Sequence, residues 1–200
     1  MFFNFLEAAF LPTHKPDLQL WLDAADTSAI SATTQNVTAW ADKSGNGNGA
    51  TTTIGTPRTG DSTENGLNII DFTTDQMSLP SALYSIPNGP YTVFMVSKRA
   101  SEDASIDATF GMATGATNQM FHIYSNTSGV MSFTNNLTGA GSVSTTGKTN
   151  TNLSVTRLRR TGTYQGISVN SETELFNASA SNASGVDDAF IGTAGSGGFP

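Results

Sequence analysis

Apolar and polar positions alternate along much of this chain with a period of two residues. Residues 17–23 read D-L-Q-L-W-L-D, with leucine at every second position, and this spacing predicts a strand with one inner face. Residues 91–98 read Y-T-V-F-M-V-S-K and are apolar at most positions, which predicts a central strand covered on both faces. Such segments follow one another without a convincing long helix, so the chain is predicted to be all-β.

Further short strands are predicted where apolar residues cluster between turns rich in glycine, asparagine and serine. They cover residues 37–41, 67–72, 106–112, 119–125, 130–134, 153–158, 164–169 and 189–192. Short strands at this spacing are typical of a β-sandwich or barrel. A charged fraction of only 12% supports this interpretation, because threonine-rich chains with few charges suit antiparallel sheets.

Residues 40–48, W-A-D-K-S-G-N-G-N, predict a sharp reversal of the chain. Gly45 and Gly47 can adopt a positive φ without a steric penalty, and Asn46 tolerates one better than most residues. We therefore expect Trp40 to be buried on one side of this turn.

Asp42 lies within the same turn and has two interpretations. Its carboxylate can accept hydrogen bonds from the backbone amides of the turn. Alternatively, it can bind calcium together with Asp71 or Asp75 from a later strand, because calcium prefers carboxylate and carbonyl oxygens.

Charge and composition exclude several classes of function. The net charge of −7 argues against nucleic acid as the main partner, because a phosphate binder needs a basic face. The absence of cysteine excludes disulfides and thiolate metal sites. No apolar run approaches the ~18–20 residues that span a bilayer, so no membrane span is expected.

The start of the chain concentrates large apolar residues that could line one face of a short helix, namely Phe2, Phe3, Leu6 and Phe10. This apolar arm either docks into a partner subunit or folds back onto its own sandwich. Pro12 and Pro16 then separate it from the rest like a short stiff linker, so we divide the chain into residues 1–16 and a domain over residues 17–200.

Four segments in order carry a family resemblance: L-W-L-D-A-A-D (20–26), W-A-D-K-S-G-N-G-N (40–48), I-I-D-F (69–72) and P-Y-T-V-F-M-V (90–96). They resemble the laminin-G-like, concanavalin A-like lectin–glucanase jelly rolls. The resemblance implies a two-sheet antiparallel β-sandwich over residues 17–200. It also implies a closing strand beyond the I-G-to-F run that ends at Pro200. We expect either that the chain continues or that another chain supplies this strand.

Candidate catalytic groups are sparse. Glu172 and Glu174 form the one pair of glutamates at the spacing of a retaining glycosidase, whose carboxyl groups lie about 5–5.5 Å apart. They fall at a predicted hairpin tip, where a solvated turn is the simpler interpretation. His14 is expected to be solvated, and His122 is expected to be packed or hydrogen-bonded within a strand.

The basic cluster of Arg157, Arg159 and Arg160 is predicted to lie on the solvent-facing side of a strand. The alternative is a salt-bridged interface with an acidic partner.

These observations favour a non-catalytic structural or adhesion module. The resemblance extends to phage virion proteins (head decoration, capsid fibre or tail) and bacterial surface proteins, so the expected location is a virion or an extracellular surface. Other virion or surface proteins and a homo-oligomer are the expected partners. A cell-surface glycan could stack on Tyr84 and Tyr164, although both rings could instead pack on the sheet. The alternative function is a glycan hydrolase or lyase on the same scaffold.

Overall fold

A computed structural model describes residues 12–86, 89–98, 107–114, 118–125, 131–134, 143–145, 152–162, 164–177 and 186–192. Within these ranges the chain is built from strands, with short 3-10 helices at Pro12–His14, Thr27–Ala29 and Ser81–Leu83. The strands are β1 (Ile30–Thr33), β2 (Asn36–Trp40), β3 (Ala50–Ile54), β4 (Arg58–Glu64), β5 (Leu67–Asp71), β6 (Gln76–Ser78), β7 (Tyr91–Ser97), β8 (Asp107–Thr114), β9 (Asn118–Ser125), β10 (Met131–Thr134), β11 (Val143–Ser144), β12 (Ser154–Thr161), β13 (Tyr164–Val169), β14 (Leu175–Asn177) and β15 (Asp188–Gly192).

The strands form two antiparallel sheets. The large sheet has the order β11-β10-β9-β8-β15-β6-β3-β2-β4-β5, with β1 paired to β2. The small sheet has the order β14-β13-β12-β7. The predicted all-β fold of two antiparallel sheets is confirmed.

The hydrophobic core lies between the two sheets. The large sheet contributes Met77, Met112 and Phe133, and the small sheet contributes Leu158 and Ile167, all with almost no exposed surface. Burying side chains of this size is worth about 1.5–3 kcal/mol each, which makes this contact the main source of stability.

The most apolar strand is not covered on both faces as predicted. Strand β7 pairs only with β12 among the described strands, and its residues alternate between inner and outer positions. Val93 and Met95 pack on the core, whereas Phe94 and Val96 are 69% and 63% exposed. The prediction is wrong because a run of apolar residues does not distinguish a buried face from an apolar face that meets solvent.

The predicted strand over residues 17–23 is also wrong in one respect. Leu20 and Leu22 pack against the core, so the inner face is as expected. The segment joins no ladder, however, and its backbone is held mainly by side chains of the turn after β2. Residues 2–10 and 193–200, with the apolar arm and the end of the chain, lie outside the described residues. Within the described ranges, no helix combines the length and apolar character that a bilayer crossing requires.

Candidate functional site

The outer face of the small sheet is the most unusual surface among the described residues. Among the residues that the structure describes, six of the eight exposed large apolar side chains belong to this sheet or its flanks, namely Phe94, Val96, Leu153, Val155, Leu175 and Phe176. Phe94, Val96, Val155 and Phe176 lie on the outer face, whereas Leu175 pairs with the core residue Ile167 and so lies on the other side of the sheet. Soluble domains rarely leave large apolar side chains clustered in water, and such clusters mark binding surfaces.

Strand register places basic and apolar side chains in neighbouring rows of this face. Val155 is paired with Val96, and Arg157 is paired with Phe94. Alternation along β12 directs Leu158 into the core, so Arg157 and Arg159 point outward. Rows two residues apart are separated by about 7 Å.

Arg157 and Arg159 share one carboxylate. Arg159 donates from Nη2 and Nε to the two oxygens of Glu174, at 2.8 and 3.3 Å. Arg157 donates from Nη2 to Oε2 of the same residue at 3.2 Å. The Glu174 side chain is only 13% exposed, so it is part of the sheet surface and not the solvated hairpin tip that the sequence predicts.

Gly166 makes the seat for this carboxylate. It is paired with Arg159 in the sheet, and a Cβ atom at residue 166 would lie within 2.8 Å of Glu174 Cδ. Glycine at this position therefore lets Glu174 lie flat against β13, between the two arginines and the strand.

A stack of side chains runs beside the carboxylate. The Arg159 guanidinium lies 5.2 Å from the Tyr164 ring centroid and donates to its hydroxyl at 3.3 Å. The Tyr164 ring lies 5.3 Å from that of Phe176, which is 65% exposed. The hydrogen bond to Glu174, followed by the one to Tyr164, raises the pKa of Arg159, so the guanidinium stays charged.

The two tyrosines proposed from the sequence lie in different places. Tyr164 belongs to the outer face just described. Tyr84 follows the 3-10 helix Ser81–Leu83 and packs against the core. Burial raises the pKa of Tyr84, and the negative charges of Asp188 and Asp187 raise it further. The structure does not bring the two rings together on this face.

The basic cluster divides between the two faces of β12. Arg157 and Arg159 point outward as predicted, whereas Arg160 is 2% exposed and donates to the Gly89 carbonyl at 3.4 Å. This correction follows from the period of two, because adjacent residues cannot share a face.

The turn after β2 is organised by Asp42. Gly45 and Gly47 have φ of +92° and +74°, as the reversal requires, and Trp40 packs against the core. Oδ1 of Asp42 accepts from the Ser44 amide at 2.8 Å, and Oδ2 accepts from the Asn48 amide at 2.9 Å and the Ser44 hydroxyl at 2.7 Å.

The same turn is hydrogen-bonded to residues 18–21, which precede β1. Asp42 Oδ1 accepts from the Trp21 amide at 2.9 Å. Asn46 and Asn48 donate from their side-chain amides to the carbonyls of Leu18 and Gln19, at 2.7 and 2.8 Å. The asparagines therefore act through their side chains, and neither adopts a positive φ.

The three candidate calcium ligands are not grouped. Asp42 is engaged as above. Asp75 is 7% exposed and accepts from the amides of Thr56 and Thr73 at 2.7 and 2.9 Å. Asp71 is exposed at the end of β5. No group of three or more possible metal ligands occurs within the described residues. Asp42 and Asp75 thus accept hydrogen bonds from backbone amides, which is the first of the two interpretations given for Asp42.

Catalytic geometry is also weak among the described residues. The carboxylate of Glu174 is engaged by two arginines on the sheet surface. Glu172 is exposed, and its backbone amide donates to the Val169 carbonyl. His14 is exposed, and the side chain of His122 lies outside the described features.

Sequence reasoning missed Phe94, Phe176 and the role of Glu174. The signal available for Phe94 was the alternation within Y-T-V-F-M-V-S, which separates threonine, phenylalanine and valine from the core positions. Glu174 could not be linked to Arg157 and Arg159 without the register of β12, β13 and β14.

Comparisons with known proteins found distant likenesses only. No protein-family model matches the chain, and no curated protein is significantly similar to it. A carbohydrate-binding module (CBM40) of the Ruminococcus gnavus IT-sialidase, bound to α2,3-sialyllactose, is 17% identical with a TM-score of 0.45. The match covers 54% of this chain and 66% of that module, just under two thirds of its length. A family 7 alginate lyase, A1-II′, in complex with substrate is 16% identical with a TM-score of 0.46, and the match covers 90% of this chain and 85% of the lyase. Likenesses at this level carry no inference about function.

Proposed function

We propose that this chain is a non-catalytic adhesion module that binds a polysaccharide on the outer face of the small sheet. The observation that carries the proposal is the presence of three aromatic rings on one sheet face, two of them mostly exposed, around an ion-paired group of arginines. The rings are Phe94, Tyr164 and Phe176.

The chemistry of the face suits a sugar chain. The apolar faces of sugar rings stack on aromatic side chains, and sugar hydroxyls exchange hydrogen bonds with guanidinium and carboxylate groups. Phe94 on β7 and Phe176 on β14 are separated by three strand spacings, about 14 Å. A ligand that reaches both rings is therefore an oligosaccharide and not a single sugar.

The test is alanine substitution of the exposed rings. A glycan array first identifies a bound oligosaccharide, and calorimetry then measures its affinity for Phe94→Ala and Phe176→Ala. We expect each variant to lose about fivefold or more in affinity, since a stacked ring is worth about 1 kcal/mol or more.

Leu67→Ala is the matched control, because Leu67 is 58% exposed but lies on the large sheet. The control should retain the affinity of the unmodified chain, and the unfolding midpoint of all three variants should stay near its value. Equal affinity in every variant would remove the outer face as the binding surface.

An assembly role, in a virion or on a cell surface, is the second candidate. The apolar end of the outer face, with Val96 and Val155 paired across β7 and β12, favours contact with a second copy of the chain. Sedimentation equilibrium of Val96→Lys against the unmodified chain tests this. A multimer that the lysine dissociates would support assembly, and a monomer in both would remove it.

The enzymatic alternative is tested on the same glycans. Release of reducing ends, or of the unsaturated sugars that a lyase forms, would replace the non-catalytic proposal by a hydrolase or lyase. Loss of that turnover in Glu172→Gln would then assign the catalytic group.

A further inference from the structure

Among the described residues, the outer face of the small sheet carries more positive than negative charge. Two guanidiniums, Arg157 and Arg159, share the single carboxylate of Glu174. This excess occurs in a chain with a net charge of −7, so the face is a local exception to an acidic protein. A face of this sign attracts anionic ligands.

The face already holds a carboxylate in a well-defined geometry. Both oxygens of Glu174 accept from Arg159, and Gly166 leaves the space in which the group lies. The arginines are thereby fixed with their donors directed along the sheet surface, in the arrangement that recognises planar carboxylates.

Arg157 makes fewer hydrogen bonds to Glu174 than Arg159 does. Its contact with Glu174 is a single hydrogen bond of 3.2 Å, and its Nε–H has no partner among the described residues. Its side chain is 38% exposed and lies beside Phe94 in the strand register. The Nε–H itself is buried, so a ligand can meet only the exposed terminal N–H groups of the guanidinium, next to an exposed aromatic ring.

We propose that the outer face takes a carboxylate-bearing polysaccharide, and that Arg157 receives a carboxylate of the ligand while a sugar ring stacks on Phe94. Arg159 serves mainly to hold Glu174, because its guanidinium is already bonded to both oxygens and to Tyr164. The inference rests on the proposed glycan-binding function and names its ligand class.

The test compares oligogalacturonate with its methyl ester, which has the same sugar chain without the charge. A panel of other uronate-bearing and sialylated glycans and of neutral glycans is measured alongside. We expect the carboxylate form of at least one glycan to bind about tenfold or more tightly than its ester, since hydrogen bonds to charged groups carry that discrimination.

Substitution of Arg157 assigns the discrimination to one side chain. Arg157→Gln should bind acid and ester with similar, weak affinity, and Arg157→Lys should recover part of the preference because it restores charge without the planar fork. Arg58→Gln is the matched control. Arg58 is also partly exposed and paired with a carboxylate, that of Asp61, but it lies on the large sheet.

Glu174→Gln provides a gain of binding that misfolding cannot imitate. Removing the resident negative charge relieves repulsion of the ligand carboxylate and frees donors of Arg159. We expect the ratio of acid-form affinity to ester affinity to rise about fivefold or more.

The outcomes separate the inference from the proposed function. If acid and neutral glycans bind alike and Phe94→Ala abolishes both, the glycan-binding face stands and the carboxylate preference is overturned. If Glu174→Gln leaves the ratio of acid-form to ester affinity unchanged or lowers it, the assigned role of Arg157 is wrong. If no glycan of either kind binds, the inference and the proposed function are both overturned.

Discussion

Asp42→Ala is expected to be the most destabilising single change at the turn after β2. The carboxylate accepts three backbone amide bonds, from Trp21, Ser44 and Asn48, at 2.8–2.9 Å. A hydrogen bond to a charged group contributes about 1.5–3 kcal/mol. Because Asp42 is half-buried, water replaces part of this loss, and the free energy of unfolding should fall by about 3–4 kcal/mol.

Urea unfolding followed by tryptophan fluorescence measures this loss. With a slope of about 2 kcal/mol/M for a domain of this size, the midpoint should fall by roughly 1.5–2 M. The melting temperature should fall by roughly 6–16 °C, at about 2–4 °C for each kcal/mol. The urea midpoint of Asp42→Asn should lie between those of the unmodified chain and Asp42→Ala. Asparagine keeps one acceptor oxygen, but its N–H₂ group faces a backbone donor.

Asp71→Ala is the control, since it removes the same charge from an exposed site at the end of β5. It should change stability by less than about 0.5 kcal/mol. Equal midpoints for the two alanine variants would refute the reasoning.

Two further predictions concern the backbone and the dependence of stability on pH. Gly192→Ala should destabilise by more than about 2 kcal/mol in urea unfolding, because Gly192 has φ +109° and a Cβ would lie 2.6 Å from Phe72 Cδ1. Gly60→Ala is the control, because Gly60 has φ +79° but open space around the position of a Cβ atom. An equal loss of stability in the two variants would show that the cost comes from φ and not from the contact with Phe72. The pKa of Asp26 is lowered to about 2, chiefly by the hydrogen bond from Lys43, whereas the pKa of an aspartate in the unfolded chain is about 3.9. The contribution of Asp26 to stability is therefore complete above about pH 5 and is lost as the pH falls through about 2. The difference in urea midpoint between the unmodified chain and Asp26→Asn should therefore narrow from pH 6 to pH 2.5, and a constant difference would contradict the assignment.

The sequence predicted the layers of the fold better than their edges. Alternation in residues 17–23 identified Leu20 and Leu22 as inner positions, because the period of two records which side meets the core. It could not show that this segment lacks a ladder partner, since hydrogen bonding from distant side chains leaves no local pattern. In β7, the high apolar content predicts coverage on both faces, although the alternate positions that include Phe94 and Val96 meet solvent.

The candidate site was predictable only in part. Tyr164 and the outward pair of arginines follow from residue type and alternation. Their assembly with Glu174 and Phe176 depends on the register of three strands, which brings residues 157 and 174 together across the sheet. Charge pairing at that separation is a tertiary property and is absent from any short stretch of the chain.

The bend at residues 42–48 holds its neighbour through main-chain oxygens and one main-chain amide of residues 18–21. Because these bonds go to backbone atoms, they do not depend on which outward-facing side chains residues 18–21 carry. Substitution of residue 19 should leave the stability of the fold unchanged, whereas substitution of residue 42 should lower it. The sequence constraint at this turn therefore falls on Asp42, Asn46 and Asn48, which make the hydrogen bonds. The outward-facing side chains of residues 18–21 remain free to vary.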